Sequence, residues 1–368
     1  MSAGGAVDDA ARRDRAYMRR ALALARRGWG RTAPNPMVGA VVVRDGRIVG
    51  EGWHAEYGGP HAEVVALAAA GELARGATIY VTLEPCAHHG RTPPCTPAVL
   101  RSGVARVVVA ARDPNPTAAG GLAQLAAAGV AVQAGVEEQA ARELNAPFFH
   151  RFGAHRPWVT LKLAVSLDGA IADHTRRPGW LTSAASRREV HRLRAGADAV
   201  AVGIGTALAD DPALTVRGVR APRVPPLRVV FDREARLPLD STLARTAARV
   251  PTLVLAARDD GPRARALVDA GVEVTAAPTL DSALRALAAR GVHSLLVEGG
   301  AALAGALLGH RVVDRLVIFQ APLLLGAGAL PAFGAVPART VREARRLRVV
   351  ARRTLADDLM TVYALDEP

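Results

Sequence analysis

The sequence predicts two α/β domains, the first a three-layer α/β/α fold. Its 368 residues exceed the size of a typical single domain, so two cores are expected. Short buried apolar runs alternate with helical patterns in both halves, as in sheets covered by helices. His155-Arg156-Pro157 precedes a fresh apolar run. We therefore predict domains at 1–153 and 154–368.

The first half predicts a helix, a hairpin and three further strand–helix steps. Acidic Asp8 and Asp9 precede an apolar series that ends at Gly28, which favours a helix. Asp45-Gly46 is typical of a hairpin turn. The predicted strands are Ala40–Arg44, Ile48–Trp53, Ala77–Leu83, Val104–Ala111 and Val130–Ala134, and the later helices open at His61, Cys95, Leu122 and Glu137.

The second half repeats the alternation and begins with a strand over Trp158–Val165. The further predicted strands are Ala199–Gly203, Leu227–Asp232, Thr252–Ala256 and Ser294–Val297, and the predicted helices are Ala184–Arg194, Arg263–Ala270, Leu280–Ala289 and Ala301–Leu308. The uncharged run Leu316–Ala338 is long enough to span a membrane, but prolines and glycines interrupt it. We interpret it as a buried strand followed by loops.

Charge and composition favour a cytoplasmic protein without nucleic-acid or membrane partners. The segment Met1–Arg15 lacks the apolar core of a signal peptide. The net charge of +13 is concentrated in the second half, since residues 1–150 hold 16 arginines and 13 acidic residues. A polyanion-binding first half is therefore not supported. Lys162 is the only lysine beside 46 arginines, which indicates a position that needs a compact ammonium or an accident of composition.

The chain's only two cysteines, Cys86 and Cys95, lie close to His61 and Glu63 in the sequence and each follows a proline. One imidazole and two thiolates form a three-ligand zinc set that leaves a position for water. Glu63 is placed to move protons in a hydrolytic deamination, as in the H-x-E and P-C signature of base deaminases. The alternatives are a Cys86–Cys95 disulfide or two buried thiols.

Glu298-Gly299-Gly300 closes a predicted strand and opens a predicted helix. Such a junction lets backbone amides approach a phosphate closely, although a tight turn without a ligand is the alternative. A G-x-G-x-x-G fingerprint is absent from the sequence, so an ordinary Rossmann dinucleotide site is not predicted.

Taken together, these motifs resemble the bifunctional deaminase/reductases of bacterial riboflavin biosynthesis, the RibD family, over nearly the whole chain. In the first half the resemblance rests on Pro34-Asn35-Pro36, Pro60-His61-Ala62-Glu63, the run Thr82–Cys95 and Asp113-Pro114-Asn115-Pro116. In the second it rests on Lys162, Ser166-Leu167-Asp168-Gly169, Trp180-Leu181-Thr182-Ser183, the run Leu208–Arg217 and Glu298-Gly299-Gly300.

The resemblance implies a cytidine-deaminase-like first domain and a dihydrofolate-reductase-like second domain. The first would use Zn²⁺ to remove the 2-amino group of a phosphoribosylaminopyrimidinone. The second would open and reduce the ribose with NADPH. A homodimer or homotetramer acting on small molecules is the implied assembly.

The resemblance also implies roles for individual residues. Glu63, Asp210 and Lys162 would be catalytic, and His61, Cys86 and Cys95 would bind the metal. Substrate positions would be Asn35, His88, Lys162, Arg194, Ala213, Arg217 and Glu298. Positions near the nicotinamide nucleotide would be Ala164, Trp180, Thr206, Asp210, Gly300, Ala301, Ala302, Leu303, Ala304, Gly305 and Ala306.

Each role has a structural alternative. Asn35 could cap a turn, His88 could support the cysteine loop, Trp180 could pack in the core, Asp210 could end a helix, and Arg194 or Arg217 could be solvated. Two departures from the family stand out: Pro178 replaces the usual serine, and the loop at 117–122 is one residue short. The rival functions are a deaminase with a degenerate reductase half and a nucleic-acid-binding protein with structural zinc.

Overall fold

The structure is a computed structural model that describes residues 3–177 and 179–365. Pro178, the departure noted above, lies outside the described residues. The chain separates into two compact units, Met1–Gly153 and Ala154–Pro368. Each unit has its own sheet and its own cores.

The first unit follows the predicted alternation closely. Its helices are α1 (Ala3–Ala25), α2 (Ala62–Ala70), α3 (Cys95–Ser102), α4 (Gly121–Ala127), α5 (Glu138–Leu144) and α6 (Ala146–His150). Its strands are β1 (Gly39–Arg44), β2 (Arg47–Trp53), β3 (Thr78–Leu83), β4 (Arg106–Ala111) and β5 (Ala131–Ala134). The first helix begins at Ala3, ahead of the acidic pair predicted to start it.

The strands of the first unit form one mixed sheet in the order β2-β1-β3-β4-β5. The hairpin pair β1–β2 and the pair β1–β3 are antiparallel, and β3, β4 and β5 run parallel. Helices α2, α3 and α4 pack on one face of the sheet, and α1, α5 and α6 pack on the other. The predicted three-layer α/β/α arrangement is confirmed.

Two glycines of β2 bring α2 unusually close to the sheet. A Cβ atom on Gly50 would lie 2.2 Å from the carbonyl oxygen of Ala66, and one on Gly52 would lie 2.4 Å from that of Ala62. Real side chains do not tolerate such distances, so only glycine lets the helix backbone rest on the strand. This contact fixes the start of α2, where His61 and Glu63 lie.

A buried polar cluster ties α1 to the sheet. Asp14 is 7% exposed and accepts hydrogen bonds from the Tyr80 hydroxyl (2.6 Å) and from both terminal nitrogens of Arg106 (3.0 and 2.6 Å). Burial raises the pKa of Asp14, but the hydrogen bonds from Arg106 and Tyr80 outweigh it and the net pKa is lowered. The folded state therefore favours the ionised carboxylate.

Replacing Asp14 by Asn should destabilise the first unit by about 2 kcal/mol, less than a fully buried ion pair because Arg106 is a third exposed. A lowered folded pKa contributes stability above the unfolded value near 4 and loses it as pH falls through the folded pKa. The difference between wild type and D14N should therefore shrink below about pH 4. Hydrogen exchange of the α1 and β3 amides measures it, and a pH-independent difference would contradict the assignment.

The second unit is larger. Its helices are α7 (Ala184–Ala195), α8 (Ile204–Asp210), α9 (Thr242–Arg245), α10 (Pro262–Asp269), α11 (Leu280–Ala289) and α12 (Ala301–Gly309). Its strands are β6 (Trp158–Val165), β7 (Ala170–Ala172), β8 (Ala199–Gly203), β9 (Leu227–Phe231), β10 (Thr252–Ala256), β11 (Glu273–Ala276), β12 (Ser294–Glu298), β13 (Arg315–Gln320), β14 (Leu330–Pro331), β15 (Arg348–Leu355) and β16 (Asp358–Ala364).

The main sheet of the second unit has the order β11-β10-β9-β8-β12-β6-β13-β16-β15. The seven neighbouring strands from β11 through β10, β9, β8, β12 and β6 to β13 run parallel to one another. At the far side of β13, strand β16 pairs antiparallel with β13, and β15 pairs antiparallel with β16. Strand β6 lies within the sheet with Val159, Leu161 and Leu163 in a core shared with α11 and α12. Its alternate residues point to the other face, where Ala164 packs in a cluster with Val190 of α7.

The second unit also contains elements that the sequence did not predict. Residues after β8, for which no element was predicted, form helix α8, and Asp210 is its last residue, as its structural alternative had it, because Asp211 adopts φ 38°. The edge strand β15 carries exposed Arg348, Arg352 and Arg353, so it lacks the apolar run that marked the inner strands, and β16, which pairs it to β13, is mostly buried.

The apolar run at 316–338 forms strand β13 and then loops, as predicted. Strand β13 pairs with β6 on one side and β16 on the other, so its apolar residues lie inside the sheet. Among the described residues, none of the helices has the length and hydropathy needed to cross a membrane.

Candidate active sites in the two units

The three predicted metal ligands converge at one edge of the first sheet. His61 precedes α2, Cys86 follows β3, and Cys95 is the first residue of α3. His61 Nδ1 lies 3.1 Å from Cys95 Sγ and 3.6 Å from Cys86 Sγ, and the ligand atoms all lie within 4.8 Å of one another. One nitrogen and two sulfurs at this spacing fit a tetrahedral zinc site with an open fourth position.

The two cysteines are free thiols, so the disulfide alternative is wrong for this structure. The hydrogen bond from the Cys95 thiol is the largest influence on Cys86, followed by opposing burial and a hydrogen bond from His61, and together they lower the pKa of Cys86 to about 4. The Cys95 amide also donates to Cys86 Sγ at 3.3 Å. This environment favours the thiolate that metals bind.

Thr92 sets the orientation of the His61 ring. Its hydroxyl oxygen lies 3.2 Å from His61 Nε2, on the side of the ring away from the sulfurs. A histidine that binds a metal through one nitrogen carries its proton on the other, so Nε2 donates to Thr92. Thr92 lies within the 82–95 run that carries the family resemblance, but no role was predicted for it.

Glu63 lies in the first turn of α2, beside the ligands, and is only 3% exposed. Burial is the main cause that raises the pKa of Glu63 to about 7, while the nearby His61 charge acts in the opposite direction. A carboxyl group with this pKa both accepts and donates protons near neutral pH. Its position and chemistry suit an acid/base group.

A cavity of about 210 Å³ opens beside these groups. Aromatic, polar and charged residues from several loops surround it. They include Asn35, His54, Tyr57, His61, Glu63, Glu84, Cys86, His88, Arg91, Thr92, Asp113, Asn115, Phe148 and Arg151. The volume fits a single heterocyclic ring of a small-molecule ligand better than an extended polymer.

Asn35 and His54 form a pair in this cavity. His54 is buried, its Nδ1 lies 3.1 Å from the Pro60 carbonyl, and its Nε2 lies 3.4 Å from Asn35 Nδ2. Burial lowers the pKa of His54, which favours the neutral ring. Neutral His54 donates through Nδ1 and accepts from Asn35, so the Asn35 side-chain oxygen remains available to a ligand.

His88 also lines the cavity. Its Nδ1 is buried and has no hydrogen-bond partner within residues 3–177 and 179–365. A buried polar nitrogen without a protein partner beside a cavity is a group that a ligand can satisfy. The structure therefore places both predicted pyrimidine contacts, Asn35 and His88, around the same space as Glu63.

Glu84 organises the far wall of the cavity and was not singled out from the sequence. Its buried carboxylate accepts backbone hydrogen bonds from Asp113 (3.3 Å), Gly120 (3.1 Å) and Leu122 (3.1 Å). These bonds hold the 113–122 loop, which was recognised as shortened, against the strand that delivers Cys86. The sequence signal that could have indicated Glu84 was its position just before Pro85-Cys86. For His54, which also lines the cavity and was not predicted, the signal was its position directly after β2.

In the second unit, Lys162 and Glu298 lie side by side on neighbouring strands. Lys162 of β6 is in register with Glu298 of β12. Burial lowers the pKa of Lys162, Arg194 lowers it further, and the carboxylates of Glu298 and Asp210 act in the opposite direction. The Lys162 ammonium lies 5.8 Å from the centre of the buried Phe319 ring.

Arg194 of α7 is held by this carboxylate. Its Nε and one terminal nitrogen donate to both oxygens of Glu298, and its other terminal nitrogen donates to the Thr215 carbonyl at 2.9 Å. Arg194 is largely buried, so the alternative of a solvated surface arginine is wrong. Glu298 is ionised because this ion pair outweighs its burial and lowers its pKa.

The adjacent aspartates at the end of α8 have different surroundings. The Asp211 carboxylate accepts hydrogen bonds from the amide and the hydroxyl of Thr242, both at 2.7 Å, and so joins α8 to α9. Asp210 makes no hydrogen bond or ion pair within the part of the chain that the structure describes. Its pKa is raised by burial, against the attraction of Lys162. Asp211 therefore makes the structural contacts of this pair, and the carboxylate of Asp210 is available to a ligand.

The segment after Pro212 brings Ala213 and Arg217 towards α7. The Ala213 carbonyl accepts from the buried Arg228 at 3.3 Å, and the Arg217 amide lies 3.2 Å from Nδ1 of His191. The Arg217 side chain is exposed. His191, for which no role was predicted, lies one helical turn before Arg194 on α7.

The glycines before α12 are required by close packing. Neither Gly299 nor Gly300 has a positive φ. A Cβ on Gly299 would lie 2.7 Å from Leu163, and one on Gly300 would lie 2.8 Å from the Thr206 hydroxyl. Close packing therefore accounts for both glycines, as in the tight-turn alternative, and it leaves Thr206 beside the amides that open α12, with the Gly300 amide 3.4 Å from its hydroxyl oxygen.

The predicted cofactor positions 300–306 divide between two environments. Gly300, Ala301, Ala302 and Leu303 start α12, where the first amides have no intrahelical acceptor. Ala304 is fully buried in the core, and Gly305 packs against Ala335. Ala304 and Gly305 therefore lie on the side of α12 that faces the protein, whereas the next residue, Ala306, is exposed.

Trp180 is 80% exposed and lies under the Arg187 guanidinium, 5.0 Å from the ring centre. The core-packing alternative for Trp180 is wrong. Ala164 lies on β6 two residues beyond Lys162, and so on the same face. An exposed indole is available to stack on a planar ligand.

Comparison with protein families supports both halves of the chain. Residues 11–111 match the cytidine and deoxycytidylate deaminase zinc-binding region. Residues 157–361 match the RibD C-terminal domain. The first match includes the cluster of His61, Cys86 and Cys95, and the second includes Lys162 through Glu298.

Curated relatives are similar along nearly the whole chain. The riboflavin biosynthesis protein RibD of Aquifex aeolicus is 44% identical over 353 residues, which cover 95% of this chain and 98% of the relative. RibD of Escherichia coli is 42% identical over 344 residues, covering 86% of this chain and 89% of the relative.

Solved structures show the same architecture. RibD of Acinetobacter baumannii aligns with a TM-score of 0.84 at 38% identity and covers 97% of this chain and 100% of its own. A diaminohydroxyphosphoribosylaminopyrimidine deaminase/5-amino-6-(5-phosphoribosylamino)uracil reductase of Thermotoga maritima also gives 0.84, at 36% identity, covering 97% of this chain and 99% of its own. The chain therefore belongs to the RibD family and is a bifunctional deaminase/reductase of riboflavin biosynthesis with a zinc-binding deaminase domain and a reductase domain.

Proposed function

We propose that this enzyme deaminates 2,5-diamino-6-(5-phosphoribosylamino)pyrimidin-4(3H)-one. We propose that it then reduces the ribosyl chain of 5-amino-6-(5-phosphoribosylamino)uracil to ribityl with NADPH. The observation that carries the first step is the convergence of His61, Cys86 and Cys95 beside the buried carboxyl group of Glu63.

In the deaminase, His61, Cys86 and Cys95 would hold zinc. Zinc at this position supplies a Lewis acid that makes a water molecule nucleophilic at neutral pH. Glu63 would accept a proton as water adds to the ring carbon and deliver one to the departing amino group. The products are a carbonyl group on the ring and ammonia, so atoms and charge balance.

The cavity residues would hold the pyrimidine ring against Glu63. The Asn35 side-chain oxygen, left available by the Asn35–His54 pair, would accept from a ring N–H or amino group. The unpartnered Nδ1 of His88 would form a second polar contact. Together they would fix which ring carbon faces Glu63, and orientation of this kind is a large part of catalysis.

In the reductase, Lys162, Arg194, Arg217, Ala213 and Glu298 would form the sugar-phosphate site. The Lys162 ammonium and the exposed Arg217 guanidinium supply positive charge for the phosphate, and Arg194 keeps Glu298 ionised and in place. Asp210 would lie at the ribose carbon that accepts hydride, where its interaction with Lys162 provides a polar, proton-exchanging pair.

A nicotinamide nucleotide would supply the hydride and would occupy the cleft bounded by Ala164, Trp180, Thr206 and the start of α12. The first amides of α12, which lie beside Thr206, suit its pyrophosphate. The choice of NADPH rests on the family resemblance.

The proposal assigns the deaminase to residues 1–153 and the reductase to residues 154–368, which agrees with the two compact units. The family resemblance further suggests a homodimer or homotetramer in the cytoplasm. Sedimentation of the purified enzyme measures the assembly.

Metal content measured together with ammonia release tests the proposal. The enzyme should contain one zinc per chain, release ammonia from the diaminopyrimidine substrate, and then consume one NADPH per ammonia released. Chelation should stop ammonia release but leave NADPH oxidation intact when the deaminated uracil is supplied. Ammonia release from a fully metal-free enzyme would exclude the proposed deaminase mechanism.

A further inference from the structure

Helix α7 contacts the backbone of the 215–217 segment at two points, Thr215 and Arg217. Arg194 donates to the Thr215 carbonyl at 2.9 Å, and His191 Nδ1 lies 3.2 Å from the Arg217 amide. His191 and Arg194 are three residues apart on the helix, so both project towards this segment. The segment has no regular secondary structure, and these contacts therefore replace the hydrogen bonds of a strand or helix.

His191 Nδ1 is also 3.2 Å from the Thr215 carbonyl, but it can bond only one of the two groups at a time. With a proton on Nδ1 it would donate to Thr215, which already accepts from Arg194. Without that proton it accepts from the Arg217 amide, which has no other acceptor among residues 3–177 and 179–365. The second arrangement satisfies both backbone groups.

We propose that His191 is a positioning residue of the reductase, whose Nδ1 accepts from the Arg217 amide and so holds the Arg217 guanidinium at the substrate phosphate. This inference rests on the proposed function, since it takes Arg217 to be a phosphate ligand. Nothing in the sequence motifs assigned His191 a role.

The charges around His191 support the accepting form of its ring. The groups that act on it are Arg194 of the same helix, Arg217 of the facing segment and Glu298 of β12. Burial lowers the pKa of His191 and the two arginines lower it further, whereas a hydrogen bond to the Thr215 carbonyl and the charge of Glu298 act in the opposite direction without outweighing them. The imidazole is therefore neutral at neutral pH, and the tautomer with its proton on Nε2 presents a lone pair at Nδ1 to the Arg217 amide.

Three substitutions separate positioning from direct contact. His191→Asn keeps an acceptor close to the place of Nδ1, His191→Gln keeps a polar group only near the place of Nε2, and His191→Leu removes both. H191L should raise the KM for the phosphorylated uracil roughly fivefold, the effect of losing one neutral hydrogen bond. H191N should restore most of this loss and H191Q should not, with kcat and the KM for NADPH within twofold throughout.

A double-mutant cycle connects the effect to Arg217. Arg217→Met should raise the KM for the same substrate, and adding H191L to R217M should raise it no further, since the positioned group is gone. Arg188→Gln, at an exposed position of the same helix, is the matched control and should leave both KM values unchanged. Ammonia release by each variant checks that the full chain is intact.

The outcomes distinguish the inference from the proposed function. Rescue by H191Q instead of H191N, or full additivity of H191L and R217M, would overturn the positioning role while leaving Arg217 as a phosphate ligand. An unchanged KM for R217M would overturn the phosphate role of Arg217 and the inference with it. A fall in kcat and in NADPH affinity for H191L alone would indicate a general structural defect and would also reject the inference.

Discussion

Glu63→Gln should reduce ammonia release by about a thousandfold, within the range expected for losing an acid/base group. The amide has nearly the same shape and can occupy the same buried position, but it cannot accept or deliver a proton. The measurement is the steady-state rate of ammonia release from the diaminopyrimidine substrate at saturating concentration. Zinc content should stay at the wild-type level, because Glu63 is not among the ligand atoms.

Two controls make the Glu63 result specific. Glu72→Gln changes an exposed glutamate just beyond α2 and should leave ammonia release unaltered. NADPH oxidation on supplied deaminated uracil should be the same in E63Q and wild type. If E63Q kept a tenth of the wild-type rate of ammonia release, another group would have to move the protons.

Lys162→Met should lower kcat/KM of the reductase by about a hundredfold or more, the size of effect typical of removing one preorganised charged group. The ammonium interacts electrostatically with both Glu298 and Asp210, so its loss removes a positive charge from two carboxylates. NADPH oxidation with the phosphorylated uracil measures the effect. Ammonia release by the same variant should be normal.

Lys162→Arg tests whether any cation suffices at this position. The planar guanidinium is larger and needs a different donor geometry, and Arg194 already occupies the adjacent space against Glu298. We therefore expect K162R to remain within about threefold of K162M. Wild-type activity in K162R would mean that the lone lysine among 46 arginines is an accident of composition.

The deaminase centre could be predicted from sequence because its ligands have distinctive chemistry and close spacing. The chain has only Cys86 and Cys95 as thiols, and each lies at a junction between a predicted strand and helix. Ends of parallel strands meet at one edge of a sheet, so their convergence with His61 followed from the order of elements. The structure places the three ligand atoms within 4.8 Å of one another.

The residues that sequence missed act through the backbone of other segments. Glu84 accepts three hydrogen bonds from amides of the 113–122 loop, and His191 lies within hydrogen-bond distance of the Arg217 amide. A carboxylate or an imidazole in a helix or at a strand end carries no local sign of which distant amide it will meet. Only the folded chain brings those partners together.

Exposure and pairing also depended on the tertiary structure. By residue type, Trp180 is expected in the core and Arg194 at the surface. Trp180 is instead 80% exposed, and Arg194 is largely buried and hydrogen-bonded to Glu298, which lies 104 positions further along the chain. Side-chain type sets the average burial of a residue, and the packing of neighbouring elements sets the burial of each one.

The sequence by itself determined the two α/β units, the zinc ligand set with Glu63, and the motifs of both catalytic halves, because these depend on periodicity, spacing and side-chain chemistry. The tertiary structure alone decided which of Asp210 and Asp211 accepts hydrogen bonds from α9, which groups accept hydrogen bonds from Arg194, and which residues of 300–306 are buried. Those outcomes depend on which hydrogen-bond partners and cavities the packing of distant segments provides, and that information is not local to any stretch of the chain.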